Sequence, residues 1–451
     1  VEQFPKNFLW GAATAAYQIE GAADRDGRGP SIWDTFCSKP GNTACGHTGA
    51  VACDHYNRYR DDVQLMRRLN LQAYRFSVSW PRVMPTGRGA INAEGLDFYD
   101  RLVDDLCANG IEPFATLYHW DLPDALQNDL GGWVNDDLPR IFADYADVVY
   151  RRIADRVRYW ITINEPWCVV DGGYFHGVHA PGLRDRAAGY RAGHNLIRAH
   201  AYAAEKYRTG HAGSGGQISL ALNSGYTFPA TSSKEDAAAA ERFLLNFAGW
   251  FGDPIFFGDY PQVMRERLGE LLPAFSTEDA ALLRRSMDFL AVNYYTSDTI
   301  CHRDGEGPMD AAVVSENHWP RTEMNWVVRP EGLRGLLVWL HERYRGVPMY
   351  ITENGAAYVD EVDGDGFVND PKRIEYLQTH IAAAAEACAQ GVDLRGFLVW
   401  SLMDNLEWSL GFTRRFGLVR CDFDTLQRSI KASGQWYAKF IANGQSAGTA
   451  S

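Results

Sequence analysis

Two apolar, strand-like runs of this chain end in a glutamate. Ile163-Asn164-Glu165-Pro166 closes one run and Ile351-Thr352-Glu353-Asn354-Gly355 closes another. Two carboxyl groups on facing walls of one cleft suit cleavage of a glycosidic bond. One protonates the leaving oxygen while the other attacks the anomeric carbon. The separation that chemistry needs is ~5–5.5 Å for retention, or ~6.5–9.5 Å with a water between for inversion. A lone strand-end glutamate is more often a salt-bridge partner or a helix cap. These two are flanked by Asn and accompanied at other run ends by polar and aromatic groups. Gln18 and Glu20 follow the first run, Arg75 lies in the second, and His119, Trp120 and Asp121 follow the third. Asn293 and Tyr295 end the sixth, and the last leads through Trp400 to Asp404, Asn405, Glu407 and Trp408. That company favours catalysis.

The runs themselves number eight: 8–13, 73–79, 112–118, 159–164, 217–223, 288–294, 348–353 and 396–402. Each has strand length, and several are rich in Val, Ile, Phe and Tyr. Between them lie helical spacings: Tyr56, Tyr59, Val63, Met66, Leu69; then Leu96, Tyr99, Leu102, Leu106; then Leu138, Ile141, Tyr145, Val148. Eight strands alternating with amphipathic helices predict an α/β fold, a (β/α)8 TIM barrel. A doubly wound open sheet would want GxGxxG after its first strand, and Gly11-Ala12-Ala13-Thr14 lacks that spacing. The chain is far longer than eight bare units require, so the surplus falls in long loops at 165–190, 224–287, 296–330 and 355–372. In a barrel the loops after the strands build the active site, here a deep pocket. One barrel domain over 1–443 and a small, polar, flexible tail at 444–451 (GQSAGTAS) are expected.

Composition narrows the partners. The 451 residues carry 44 Lys+Arg against 57 Asp+Glu, a net charge of −13 with no basic run, which disfavours nucleic acid. No apolar run approaches the ~18 residues of a membrane span. Residues 1–20 lack a basic start followed by an apolar stretch, so a cytoplasmic location is expected. The 14 Trp, 22 Tyr and 22 Phe could fill a core or stack on sugar rings. Of eight cysteines, Cys45 and Cys53 lie close in one Gly-rich segment and could pair or clip a metal; reduced thiols are the commoner arrangement. His119 with Asp121 has no further cluster at ligand spacing, and 360–366 (DEVDGDG) fails the calcium-loop pattern. No metal or cofactor is expected, and the partner is a small-molecule substrate. Nothing in the sequence identifies a self-complementary patch, so a homo-oligomer stays open.

The segments FLWGAATAAYQIEG (8–21), YRFSVSWPR (74–82), LYHWDLP (117–123), TINEPW (162–167), VNYYTS (292–297), YITENG (350–355) and LVWSLMDNLEW (398–408) resemble the family 1 glycoside hydrolases. Within that family they are most like bacterial β-glucosidases, in order, over nearly the whole chain. The resemblance implies a retaining double displacement with Glu353 as nucleophile and Glu165 as acid/base. Arg75 and Tyr295 then hold Glu353 ionised, with Asn293 beside them. Gln18, His119, Trp120, Asn164, Glu407 and Trp408 resemble the contacts to the glycone, with Trp400 stacking on its ring and Phe416 bordering its hydroxymethyl group. Trp326 resembles the aglycone platform, and Trp167, Cys168, Asn223 and His179 line the entrance.

Residue types sharpen the implied activity. An anionic Glu407 would repel a 6-phosphosugar. Relatives that cleave thioglucosides carry Gln at the Glu165 position, so O-glycosides are expected. The implied substrates are terminal, non-reducing β-D-glucosyl residues of cello-oligosaccharides and of aryl or alkyl β-glucosides. A β-galactosidase or broad β-glycosidase on the same machinery is the enzymatic alternative. A non-catalytic glycan-binding barrel is the alternative of another class, disfavoured because both glutamates are present. Val169-Val170-Asp171-Gly172-Gly173 replaces bulkier residues of many relatives, and its glycines predict a roomier or more mobile entrance wall.

Overall fold

The computed structural model describes residues 4–448 apart from residue 365. Eight strands close a barrel: β1 (Leu9–Ala13), β2 (Ala73–Ser77), β3 (Glu112–Tyr118), β4 (Tyr159–Asn164), β5 (Gln217–Asn223), β6 (Leu290–Asn293), β7 (Met349–Asn354) and β8 (Leu394–Trp400). Every neighbouring pair is parallel, and β1 pairs with β8 to complete the ring. All eight fall on the runs read from sequence. The barrel floor is a separate apolar cluster to which seven strands contribute: Ala73, Phe114, Ile161, Ala221, Ala291, Tyr350 and Leu398. Phe114 stacks on Tyr159 with centroids 4.2 Å apart, so the interior is filled below the mouth.

The crossovers include α1 (His55–Arg68), α2 (Ala93–Ala108), α3 (Leu138–Ile153), α4 (Arg186–Gly210), α5 (Pro330–Arg343) and α6 (Pro371–Ala389). The predicted apolar stripes are the buried ones on α1, with Tyr56, Tyr59, Val63 and Met66 inside. On α3 the stripe is rotated. Leu138, Phe142, Tyr145, Val149 and Ile153 are buried, while Ile141 and Val148 sit half-buried on its flank. The surplus chain is not bare loop. Between β5 and β6 it forms helices at Lys234–Leu244, Trp250–Phe257, Gln262–Leu268 and Thr277–Leu283. Strands Thr227–Pro229, Asp298–His302 and Ala311–Val314 make a small sheet, and Val419–Cys421 pairs with Arg428–Ile430. The last helix, α7 (Ala432–Gly448), carries five residues of the segment read as a tail, and 449–451 lie outside the described residues. No helix among the described residues is long and apolar enough to cross a membrane.

Two irregularities aim the functional side chains. In β4 the register shifts between Ile161 and Asn164, and in β7 between Ile351 and Glu353. With Ile161 in the interior cluster, strict alternation would turn Ile163 in and Asn164 out; instead Ile163 joins the outer core and Asn164 reaches Arg75 inside the barrel. In β7 Tyr350 faces in and Ile351 faces out, yet Thr352 and Glu353 both reach interior partners. The bulge turns two successive side chains into the barrel.

Candidate active site

Six carboxylates stood at or just past strand ends in the sequence, and packing separates them. Glu20 accepts from Arg82 Nε at 3.0 Å and from the Tyr99 hydroxyl at 2.7 Å, a buried structural pair. Asp404 is held by Lys431 Nζ at 2.6 Å and Arg415 Nη1 at 2.9 Å. Asp121 is fully buried away from the mouth, and burial raises it to about 8. Glu165, Glu353 and Glu407 alone of the six face a cavity of about 540 Å³ at the C-terminal ends of the strands.

Their surroundings differ. Glu353 Oε1 accepts from Arg75 Nη1 at 2.5 Å, and Oε2 accepts from the Tyr295 hydroxyl at 2.6 Å. The remaining donors of Arg75 are also committed, Nε to Thr116 Oγ1 at 3.0 Å and Nη2 to Asn164 Oδ1 at 2.6 Å. Glu165 receives no cation: Asn293 Nδ2 donates to its Oε1 at 2.7 Å, and the Cys168 thiol also bonds its carboxyl. Its backbone is left-handed, φ 45°, between Asn164 and the short helix Pro166–Val170. Such a conformation in a non-glycine residue carries strain that the flanking strand and helix must hold. Burial raises both carboxyls, but Arg75 and Tyr295 oppose it at Glu353. Glu165 has no cation in contact. Burial and then the charge of Glu353 push it up to about 8. Glu407 is pushed to about 8 as well, by burial and by both neighbours.

A polar chain supports one side of the cavity. Asn164 Nδ2 donates to His119 Nε2 at 3.0 Å, which leaves the ring proton on Nδ1, where no protein group accepts it. Burial holds this imidazole neutral. Trp120 Nε1 fixes the Asn164 carbonyl at 2.9 Å. Asn293 is oriented in turn by the Thr352 hydroxyl at 2.7 Å.

The matched sequence pattern agrees with this arrangement. The glycosyl hydrolase family 1 model matches residues 1–446. The chain belongs to glycosyl hydrolase family 1. It is 46% identical over 445 residues to "Beta-glucosidase A" of Thermotoga maritima, covering 98% of each chain. The structure of a Thermotoga maritima β-glucosidase in complex with glucoimidazole superposes with a TM-score of 0.94 at 45% identity, covering 98% of this chain and 100% of that one. A Thermotoga maritima β-glucosidase in complex with galacto-hydroximolactam superposes with a TM-score of 0.93 at 46% identity, covering 98% and 99%. This chain is an O-glycoside hydrolase on a TIM barrel.

Most residues singled out in the family 1 sequence converge on the cavity. His119, Trp120, Trp400, Glu407, Trp408 and Phe416 line it, and so do Trp167, Cys168, His179, Asn223 and Trp326. Arg75 and Asn164 stand just behind the wall, bonded to Glu353 and His119, which line it. Gln18 is also behind it, with Nε2 bonded to the Leu406 carbonyl at 2.7 Å and Oε1 left without a protein partner. Ser224, Gly225, Phe247, Thr296, Asp298, Met324, Ser409 and Leu410 complete the wall and carried no sequence signal as site residues. Phe247 packs on Trp167 with centroids 4.4 Å apart, from a segment between two helices.

The glycine expectation fails. Gly172 and Gly173 are buried, and a Cβ on Gly172 would meet His179 Nδ1 at 2.6 Å. One on Gly173 would meet the Ala180 carbonyl oxygen at 2.7 Å. These glycines let the 176–181 segment pack against its own helix. They close the wall rather than open it.

Proposed function

We propose that this family 1 hydrolase is a retaining β-glucosidase. It removes terminal, non-reducing β-D-glucosyl residues from cello-oligosaccharides and from aryl or alkyl β-glucosides. The observation that carries the role assignment is the unequal sharing of one guanidinium. Glu353 has Arg75 and a phenol on its two oxygens, the support an ionised nucleophile needs. Glu165 has an amide and a thiol, and with its value raised to about 8 it enters the reaction protonated.

In the first step Glu353 attacks the anomeric carbon while Glu165 gives its proton to the leaving oxygen. Esterification removes the charge of Glu353, and Glu165 becomes the stronger acid that its new role as base requires. It then takes a proton from water, whose oxygen attacks the anomeric carbon from the face the aglycone left, opposite Glu353, breaks the ester bond and releases β-glucose. The unshared Nδ1–H of His119, the free Oε1 of Gln18 and the carboxyl of Glu407 supply donors and acceptors for sugar hydroxyls. Asn164, fixed from three sides, is the partner for the 2-hydroxyl. Trp326 with Tyr295 at 5.1 Å, and Trp167 with Phe247, offer apolar faces to the aglycone.

Anomeric proton NMR during hydrolysis of an aryl β-D-glucoside tests this. β-Glucose must appear first and mutarotate later; first-formed α-glucose refutes the assignment of Glu353. A second, broader reading, hydrolysis of β-galactosides as well, is favoured by the similar enzyme solved with galacto-hydroximolactam. Comparable kcat/KM for the two epimeric aryl glycosides would establish it.

A further inference from the structure

The sequence placed Cys53 beside Cys45, but the fold gives it another neighbour. Cys45 is exposed, whereas Cys53 is fully buried. Cys53 donates its thiol proton to the Asp404 carbonyl at 3.1 Å and is in hydrogen-bond contact with the buried thiol of Cys421.

The two residues come from opposite ends of the chain and share their surroundings. Cys421 is cross-strand from Arg428, whose Nη2 donates to the Cys53 carbonyl at 2.5 Å and whose Nε reaches Asp62 Oδ1 at 3.0 Å. Arg415 Nη1 donates at 2.9 Å both to the Cys421 carbonyl and to Asp404 Oδ2. Both backbones are therefore held on either side of the sulfurs. Among the described residues no group of three His, Cys, Asp or Glu side chains stands together as metal ligands, so these thiols lack the partners of a metal clip.

We propose that Cys53 and Cys421 are a dithiol placed to close into a disulfide, with a small-molecule disulfide as oxidant. The Cys421 thiolate attacks one sulfur of the oxidant, whose S–S bond breaks and expels a thiolate. Cys53 gives its proton to that thiolate and attacks Cys421 Sγ in the mixed disulfide, expelling the second thiolate, which takes the proton Cys421 released. The protein loses two electrons and two protons; the oxidant becomes two thiols.

The bond would fasten the segment before α1 to the hairpin at Val419–Cys421 and Arg428–Ile430. That same segment meets the Trp408–Thr413 turn, where His47 Nδ1 accepts from the Phe412 amide at 3.1 Å. Because both thiols are buried, the oxidant gains access when the protein refolds.

The test is refolding of the full chain in oxidised glutathione, followed by blocking of free thiols, intact mass and peptide mapping. The expected result is loss of two hydrogens, a peptide linked through Cys53 and Cys421, and a thermal midpoint higher by at least about 2 °C, all reversed by dithiothreitol. Cys421→Val should abolish the linkage and the reversible shift while retaining hydrolysis of an aryl glucoside, which verifies that it folds. Blocked thiols at both positions, or a Cys45–Cys53 linkage, would overturn the proposal.

Discussion

Glu353→Gln isolates the electrostatic half of the proposed mechanism. The substitution keeps shape and removes charge, as glycosylation does. In the free enzyme Glu165 stands at about 8, with burial the larger cause and the Glu353 charge the second. At the ~5.5 Å spacing of a retaining pair and an effective dielectric of ~20, that charge is worth about 3 kcal/mol, or about two pH units. Burial is unchanged by the substitution, so Glu165 should not fall back to the ordinary glutamate value of 4.5. It should titrate roughly two pH units lower than in the wild type, with the freed Arg75 adding to the fall. The assay is a pH titration of ¹³C-carboxyl-labelled glutamate by NMR, compared with wild-type enzyme trapped as its 2-deoxy-2-fluoroglucosyl ester. Both should show the same drop. In the wild type, kcat/KM should decline as pH rises through about 8 because Glu165 loses the proton it must donate. If Glu165 in Glu353→Gln titrates within about half a pH unit of the wild type, the two carboxyls are not coupled and the proposed switch from acid to base has no source.

Two further outcomes follow from the same assignments. Glu165→Ala should keep a fast first step on aryl glucosides with very good leaving groups and stall as the glycosyl-enzyme; azide should restore turnover as β-glucosyl azide, and an α-azide product would exchange the two roles. Glu407, neutral in the fold up to about 8, costs stability once the unfolded chain can ionise it, so its contribution falls as pH rises from 4.5 toward 8. Glu407→Gln should therefore stabilise the fold more at pH 8 than at pH 5, by a differential on the order of 3 kcal/mol seen as a larger rise in thermal midpoint at pH 8, and equal shifts at the two pH values would refute the burial argument.

The strands were legible because each is apolar, short and bounded, and Glu165 and Glu353 were legible because each ends one. Hydrophobic periodicity located α1 but put α3 on a stripe one position off, since Ile141 and Val148 are apolar without being inside. Composition along the chain does not reveal a bulge, so nothing local indicated that Thr352 and Glu353 would both point inward. Glu20, Asp121 and Asp404 looked as catalytic as Glu407 until their distant partners, or their distance from the mouth, were known. The same limit applies to Cys53, whose neighbour lies on a strand near the other end of the chain. Gly172 and Gly173 were misread for a related reason: a glycine marks either open space or close approach, and only the neighbouring backbone tells which.

The division of labour between the two glutamates rests on where one arginine is anchored. Arg75 lies on β2 in register with Phe114 of β3, and its backbone carbonyl accepts from Thr14 after β1. From there its fork reaches Thr116, Asn164 and Glu353, leaving no donor directed at Glu165 or Glu407. A lysine at this position could neutralise Glu353 as a point charge, but it could not hold Asn164 and Thr116 in the same plane. Asn164 would then lose its orientation toward His119, and with it the fixed tautomer that leaves Nδ1–H for a ligand. One guanidinium thus sets both which carboxylate stays charged and how the neighbouring sugar contacts are aimed. Because its donors are already committed, moving a carboxylate or adding a second acid to the pocket does not recruit it.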